Sequence, residues 1–145
     1  MNIINTTNIN EARKEILKLK KENKKVIVQA QDDEFNRKIF ENKDVDIVTG
    51  LEFNRKDRLK QRDSGLNEVL CKLASKNNIK ISIDIREIQK LPKKEKAIIL
   101  SRIIQNIKLC RRTKTEIIFI PELKKQDAFS FLLALGASTN QAIPE

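Results

Sequence analysis

Five cations and one acid fall within Arg55-Lys56-Asp57-Arg58-Leu59-Lys60-Gln61-Arg62. A guanidinium can grip two phosphate oxygens at once, whereas an ammonium acts as a point charge. Arg55, Arg58 and Arg62 therefore lead Lys56 and Lys60 as candidates for holding a polyanion. The segment runs into Asp63-Ser64-Gly65, where the pattern predicts a helix start. There the Ser64 hydroxyl and the amides of Gly65 and Leu66 would add neutral donors. It follows the apolar run Val45-Asp46-Ile47-Val48, so the charge is expected at the carboxyl end of a β-strand. That is where α/β proteins place their binding sites. A phosphate backbone, RNA or DNA, suits such a loop. The competing account is a solvated surface loop, the ordinary home of charge runs.

Three further polar residues belong to the same expected end of the sheet. Arg86 follows the apolar run Ile79 to Ile85 and could bind phosphate or pair with Asp84 or Glu87. Asn36 and Arg37 lie just past the run ending at Ala30, where they could bind phosphate or tie neighbouring loops together. Structural tying is the favoured role for that pair. The acidic knot Asp32-Asp33-Glu34 is explained by helix capping. Lysines at 18, 20, 21, 24 and 25 and at 93, 94 and 96 read as solvated helix ends, and Arg111, Arg112 and Lys114 complement a helix dipole.

Composition narrows the chemistry. The formal charge is +10, from 30 Lys plus Arg against 20 Asp plus Glu, which favours an anionic partner. Histidine is absent, so no His-based triad, His general base or His-ligated zinc can operate. Six Phe with no Trp or Tyr argue against stacking platforms for splayed bases, and for readout of backbone and shape. Cys71 and Cys110, each inside an apolar helical pattern, are expected to be buried and reduced. Only three glycines occur, none in a phosphate-cradling motif. No run is apolar enough for a signal peptide or a membrane span, and the chain reads as cytoplasmic.

The elements that would position these residues alternate along one domain, residues 1–145. Strands are predicted at Val26–Ala30, Val45–Thr49, Ile79–Ile85 and Glu116–Ile120, with a fifth at Ile3-Ile4. Helices are predicted from Glu11 to Glu22 behind an Asn10 cap, and from Asp33 to Glu41. A third is Gly65–Lys76, burying Leu66, Val69, Leu70 and Leu73. A fourth runs from Pro92 to Arg112, burying Ile99, Leu100, Ile103, Ile104 and Ile107. The last, Gln126–Leu135, is read as core and stops at Gly136. The tail 137–145 is expected to be poorly ordered unless a partner holds it. This alternation implies an α/β fold with a mostly parallel, open sheet and flanking helices. Five strands cannot close a barrel that typically takes about 250 residues, so an edge should need covering by a partner or by self-association.

With these residues in place, the chain resembles the archaeal and eukaryotic ribonuclease P protein component 3 family, the thirty-kilodalton subunit. The segments that carry the resemblance are DDEFNRKIFENKDVDIVTG, the Arg-rich loop, DSGLNEVLCKLASKNNIKISIDIRE and NIKLCRRTKTEIIFI. The resemblance implies a truncated TIM-barrel-like fold related to PHP-type metal hydrolases but without their metal chemistry. It implies a protein subunit that binds and stabilises a catalytic RNA for removing 5′ leaders from precursor tRNA. No catalytic residue, metal or cofactor is then expected on this chain, and magnesium is expected on the RNA. The implied partners are the ribonuclease P RNA, precursor tRNA indirectly, protein component 2 and the other protein subunits. The sequence departs from the family at both ends, with Pro121-Glu122-Leu123 where relatives carry small polar residues. Two other functions remain open: a general RNA-binding scaffold and a metal-dependent phosphoesterase of the PHP type.

Overall fold

In the computed structural model, residues 2–53, 55–57 and 63–142 are described. Arg58, Lys60 and Arg62 lie outside the described residues. Five strands, β1 (Ile3–Ile4), β2 (Ile27–Gln29), β3 (Ile47–Thr49), β4 (Lys80–Asp84) and β5 (Ile117–Ile120), form one sheet in sequential order. Every pairing is parallel. Helices α1 (Ile9–Lys21), α2 (Asp33–Phe40), α3 (Glu68–Lys76), α4 (Ile85–Gln89), α5 (Lys93–Thr113), α6 (Lys125–Ala134) and α7 (Thr139–Ala142) occupy the connections and follow β5.

The pleat divides the strand residues between two faces. Ile4, Val28, Val48, Ile81, Ile83 and Phe119 meet the helices in two continuous apolar clusters. Ile27, Ile47 and Ile120, with Ile3 and Ile118 beside them, form a separate cluster on the other face, without a helix in it. A sequentially ordered parallel sheet with uniform crossovers places its helices on one side, which is the wall of a barrel rather than a doubly wound sheet. Five strands among the described residues form an open wall, as the sequence implies. Both edges, β1 and β5, pair on one side only.

Local differences have local causes. The cap of α1 is Asn8 rather than Asn10; its side chain accepts from the amides of Asn10 and Glu11 at 2.9 and 3.3 Å. Asp32 caps α2 by accepting from the Phe35 amide at 2.8 Å, as expected for the acidic knot. Helix α3 starts at Glu68 behind Asn67, not at Asp63-Ser64-Gly65, because Gly65 adopts φ +80° and cannot continue into a helix. The later start rotates the stripe: Cys71 and Ala74 are buried with Leu70, while Val69, expected in the core, is 53% exposed.

On α5, Ile99, Ile103 and Ile107 are buried as expected, but Leu100 and Ile104 only partly so, and the rest of the buried stripe is Arg102, Asn106 and Cys110. Helix α6 is less a core helix than expected, since Leu132 alone is fully buried and Leu133 is exposed. The described part of the C-terminal segment is not loose. Gln141 of α7 donates to the Ile107 carbonyl at 2.9 Å, and Ala142 is buried. No helix among the described residues is long and apolar enough to cross a membrane.

Candidate nucleic-acid interface

The connection from β3 to α3 leaves the carboxyl end of the sheet beside the end of β4. Its two feet are fastened by a pair of buried side chains on α5. Arg102, 6% exposed, donates to the carbonyls of Glu52 at 3.0 Å and Arg55 at 2.9 Å. It also reaches the Asp57 carboxylate from Nη2 at 3.1 Å and from Nε at 3.3 Å. One helical turn later, Asn106 donates to the Ser64 carbonyl at 3.2 Å. Asp57 bridges the feet directly, accepting from the Asp63 amide at 2.9 Å. Asp57 and Ser64, which flank the cation-bearing segment in the sequence, are thus held by side chains about one helical turn apart on α5.

Several residues expected to meet phosphate hold this loop together instead. The Arg55 side chain is 7% exposed. It donates to the carbonyls of Leu51 at 3.1 Å and Gln31 at 3.2 Å, pairs with Asp33, and lies 4.0 Å from Asp63. A guanidinium with this many internal acceptors stays in the fold rather than turning to a ligand. Ser64 is buried and its hydroxyl donates to the Leu66 carbonyl at 3.3 Å. The Gly65 amide donates to the Asp63 carboxylate at 3.0 Å, which removes it from anion binding. A Cβ on Gly65 would sit 2.1 Å from the Leu51 carbonyl oxygen, so the loop crosses itself at the one residue able to permit it.

Asn36, buried, also serves the structure: it accepts from the Gln31 amide at 2.7 Å and donates to the Gln31 carbonyl at 3.1 Å. Arg37 pairs with Glu41 at 3.1 Å along its own helix. A cleft of about 430 Å³ beside the loop is walled by Arg37 together with Asp33, Asp63 and Glu68, a balance that does not suit phosphate. Lys56 is exposed, and Arg86, just past the carboxyl end of β4, is 61% exposed with Asp84 3.9 Å away. Among the described candidates, Lys56, Arg86 and Arg37 are exposed cations, and Arg37 is the one held by an ion pair as short as 3.1 Å.

Beneath the loop lies a buried carboxyl. Glu52 is 1% exposed, and burial pushes its pKa up to about 7. The negative charge of Asp84 adds to the rise, while its own backbone amide and Arg102 oppose it. Its Oε1 has no hydrogen-bond partner among the described residues, nor do the Ser82 hydroxyl and Asn106 Oδ1. Among the described residues, no group of three His, Cys, Asp or Glu side chains is placed to hold a metal ion. Cys71 and Cys110 are both buried, free thiols. Cys110 is raised by its bond to Cys71 and by burial, and the same bond lowers Cys71.

Arg102 and Asn106 carry the loop, yet composition and charge runs give no hint of them. Their signal is positional: both interrupt the stripe Ile99, Ile103, Ile107 at helical spacing, where a polar side chain must find a buried partner.

No family model matches the chain. Ribonuclease P protein component 3 of Methanococcus maripaludis strain C7 is 30% identical over 115 residues, 79% of this chain and 47% of that protein. The Methanococcus vannielii protein of the same name is 27% identical over 113 residues, 78% of this chain and 46% of its own length. A chain in the cryo-EM structure of archaeal ribonuclease P with mature tRNA superposes with a TM-score of 0.80 at 22% identity. The match covers 97% of this chain and 61% of that one, and it bears on the fold. Over the part they share, this chain is similar to ribonuclease P protein component 3 of these organisms, and it spans about half the length of those proteins.

Proposed function

We propose that this chain is a protein subunit of ribonuclease P that binds the catalytic RNA through the β3–α3 loop and leaves phosphodiester cleavage to the RNA. The similarity to component 3 proteins supports the assignment. The observation that carries the RNA-binding role is the double anchorage of residues 52–64 by Arg102 and Asn106. A loop held at both feet loses less conformational freedom when its cations meet phosphate, so more of the contact energy appears as affinity. Lys56, Arg58, Lys60 and Arg62 are the proposed phosphate contacts, with Arg86 from the neighbouring strand end. Magnesium belongs to the RNA in this account, and protein component 2 and precursor tRNA are partners of the assembled particle.

The test is the salt dependence of binding to the ribonuclease P RNA. Each phosphate contact contributes about 0.7–0.9 to the slope of log affinity against log salt. Replacing Arg58 and Arg62 together by Ala should flatten the slope by nearly twice that. An unchanged slope removes the loop from the interface. Cleavage of precursor tRNA by the protein with magnesium and no RNA subunit would favour an enzyme of the metal-hydrolase type instead.

A further inference from the structure

Helices α1, α3 and α5 all end at the amino end of the sheet, where the chain turns into β2, β4 and β5. Each turn passes through a residue at positive φ: Asn23 at 55°, Asn78 at 55° and Lys114 at 59°. After glycine, Asn suits that conformation best, because its short amide can bond locally. A lysine gains no such bond, so backbone geometry does not account for Lys114. The row Ile27, Ile47, Lys80 continues to Glu116, whose carboxylate meets Lys80 at 3.4 Å. Two residues earlier in the chain, Lys25 and Lys114 therefore stand at one level, at the entries to β2 and β5.

The three turns, Glu22–Lys25, Lys76–Asn78 and Arg111–Thr115, contain no apolar residue. Lys25, Lys76, Arg111, Arg112 and Lys114 are exposed there and make no ion pair among the described residues, whereas Lys24 is paired with Glu22. Helix dipoles answer for Lys76, Arg111 and Arg112, which lie in last turns, but not for Lys25, which is outside any helix. The turn into β3 brings the acids Asp44 and Asp46, of which Asp46 accepts from the Val26 amide at 2.9 Å. Cation runs that read separately in the sequence thus share one end of the fold. Protein interfaces centre on apolar side chains, and membrane surfaces take apolar insertions. A phosphate backbone needs neither.

We propose that the amino end of the sheet is a second RNA-binding face, on which Lys25, Lys76, Arg111, Arg112 and Lys114 meet a phosphate backbone. It lies a strand's length, about 16 Å for the five residues of β4, from the end that carries the β3–α3 loop. It rests on the proposed function for the identity of the RNA, not for the role of that loop. A chain with both faces holds two backbones in fixed relation. Lysine acetylation of the full chain, alone and with the ribonuclease P RNA, reads the two faces separately. With RNA at about ten times its Kd, acetylation of Lys25 and Lys114 should slow by up to about tenfold and recover in high salt. The loop variant Arg58→Ala with Arg62→Ala should keep that protection at saturating RNA. Lys25→Gln, Arg111→Gln and Lys114→Asn together should flatten the salt slope of binding by about 2 to 3. Lys114→Asn suits the left-handed backbone, so the variant should unfold no earlier in urea. Protection of Lys56 without Lys25 and Lys114 overturns this face and leaves the loop standing, while the reverse removes the loop alone. An unchanged slope in the triple variant also overturns the proposal. So does equal protection by polyglutamate at the same charge concentration, which would assign the face to acidic protein segments. Failure of the full chain to bind the RNA removes both readings.

Discussion

Nη2 of Arg102 lies 2.9 Å from the carbonyl oxygen of Arg55, so one buried arginine orders the backbone of another. The two guanidiniums divide the work of satisfying loop carbonyls that no helix or strand satisfies among the described residues. Arg102 serves Glu52, Arg55 and Asp57 from α5, while Arg55 serves Gln31 and Leu51 and reaches Asp33 from within the loop.

Removing the clamp should therefore cost more than a surface charge. Arg102→Met takes the donor from the Glu52 and Arg55 carbonyls and the guanidinium from beside the Asp57 carboxylate, a loss on the order of 3 kcal/mol. Urea unfolding should show that decrease, with faster amide exchange across residues 52–57. A change within about 0.5 kcal/mol, the range of surface substitutions, would mean that the loop does not depend on the clamp.

Arg55 and Lys56 are adjacent cations with opposite expected phenotypes. Arg55→Ala should destabilise the fold by about 2 kcal/mol, through the buried hydrogen bonds it loses. Lys56→Ala should leave stability within about 0.5 kcal/mol and reduce the salt slope of RNA binding by about 0.7–0.9. Denaturation and binding titrations on both variants separate a loop-building cation from a phosphate-binding one.

Gly65→Ala places a methyl group against the Leu51 carbonyl and a non-glycine residue at φ +80°. Both effects act in the folded state, so a loss of at least about 2 kcal/mol is expected by thermal or urea unfolding. Gly136→Ala, with φ +95° and nothing within 4 Å of the added Cβ, carries only the backbone cost and should lose about 1 kcal/mol.

Glu52 makes stability depend on pH. Its folded pKa of about 7 lies above the ordinary 4.5, so the folded chain holds a proton that the unfolded chain releases. The favourable contribution is complete below pH 4.5 and is lost as pH rises through about 7. Glu52→Gln keeps the shape without the charge and should remove that slope. Its advantage over the parent should grow to the order of 3 kcal/mol above pH 8. Paired unfolding curves between pH 5 and 9 check it; parallel curves would mean that the carboxyl is ionised in the folded state without penalty.

Local pattern carried much of this protein. The short Val- and Ile-rich runs between amphipathic segments announced five parallel strands, including Ile3-Ile4, and a sheet too small to close. Asp32 as a cap, Asn36 as a tie and buried Cys71 and Cys110 were legible because capping and burial are decided by near neighbours. Val69 was misplaced because the apolar period fits more than one helix start, and the φ of Gly65 chooses between them. The roles of Arg55, Ser64 and Gly65 were equally hidden. A charge run reports which cations exist, not which carbonyls stand within reach.

The sequence by itself determined the charge of this protein, its lack of histidine chemistry, its βα order and the place of the basic segment after a strand. Those properties depend on residue types and on neighbours a few positions away. Tertiary structure alone decided that Arg55 is turned inward and Lys56 outward. It alone placed Arg102 and Asn106, 45 and 42 residues beyond their partners Asp57 and Ser64, to fasten the loop. It likewise decided that the free side of β5 opens on an apolar cleft. Each follows from the parallel crossovers, which bring α5 across the carboxyl end of β3 and leave β5 at the edge of an unclosed wall.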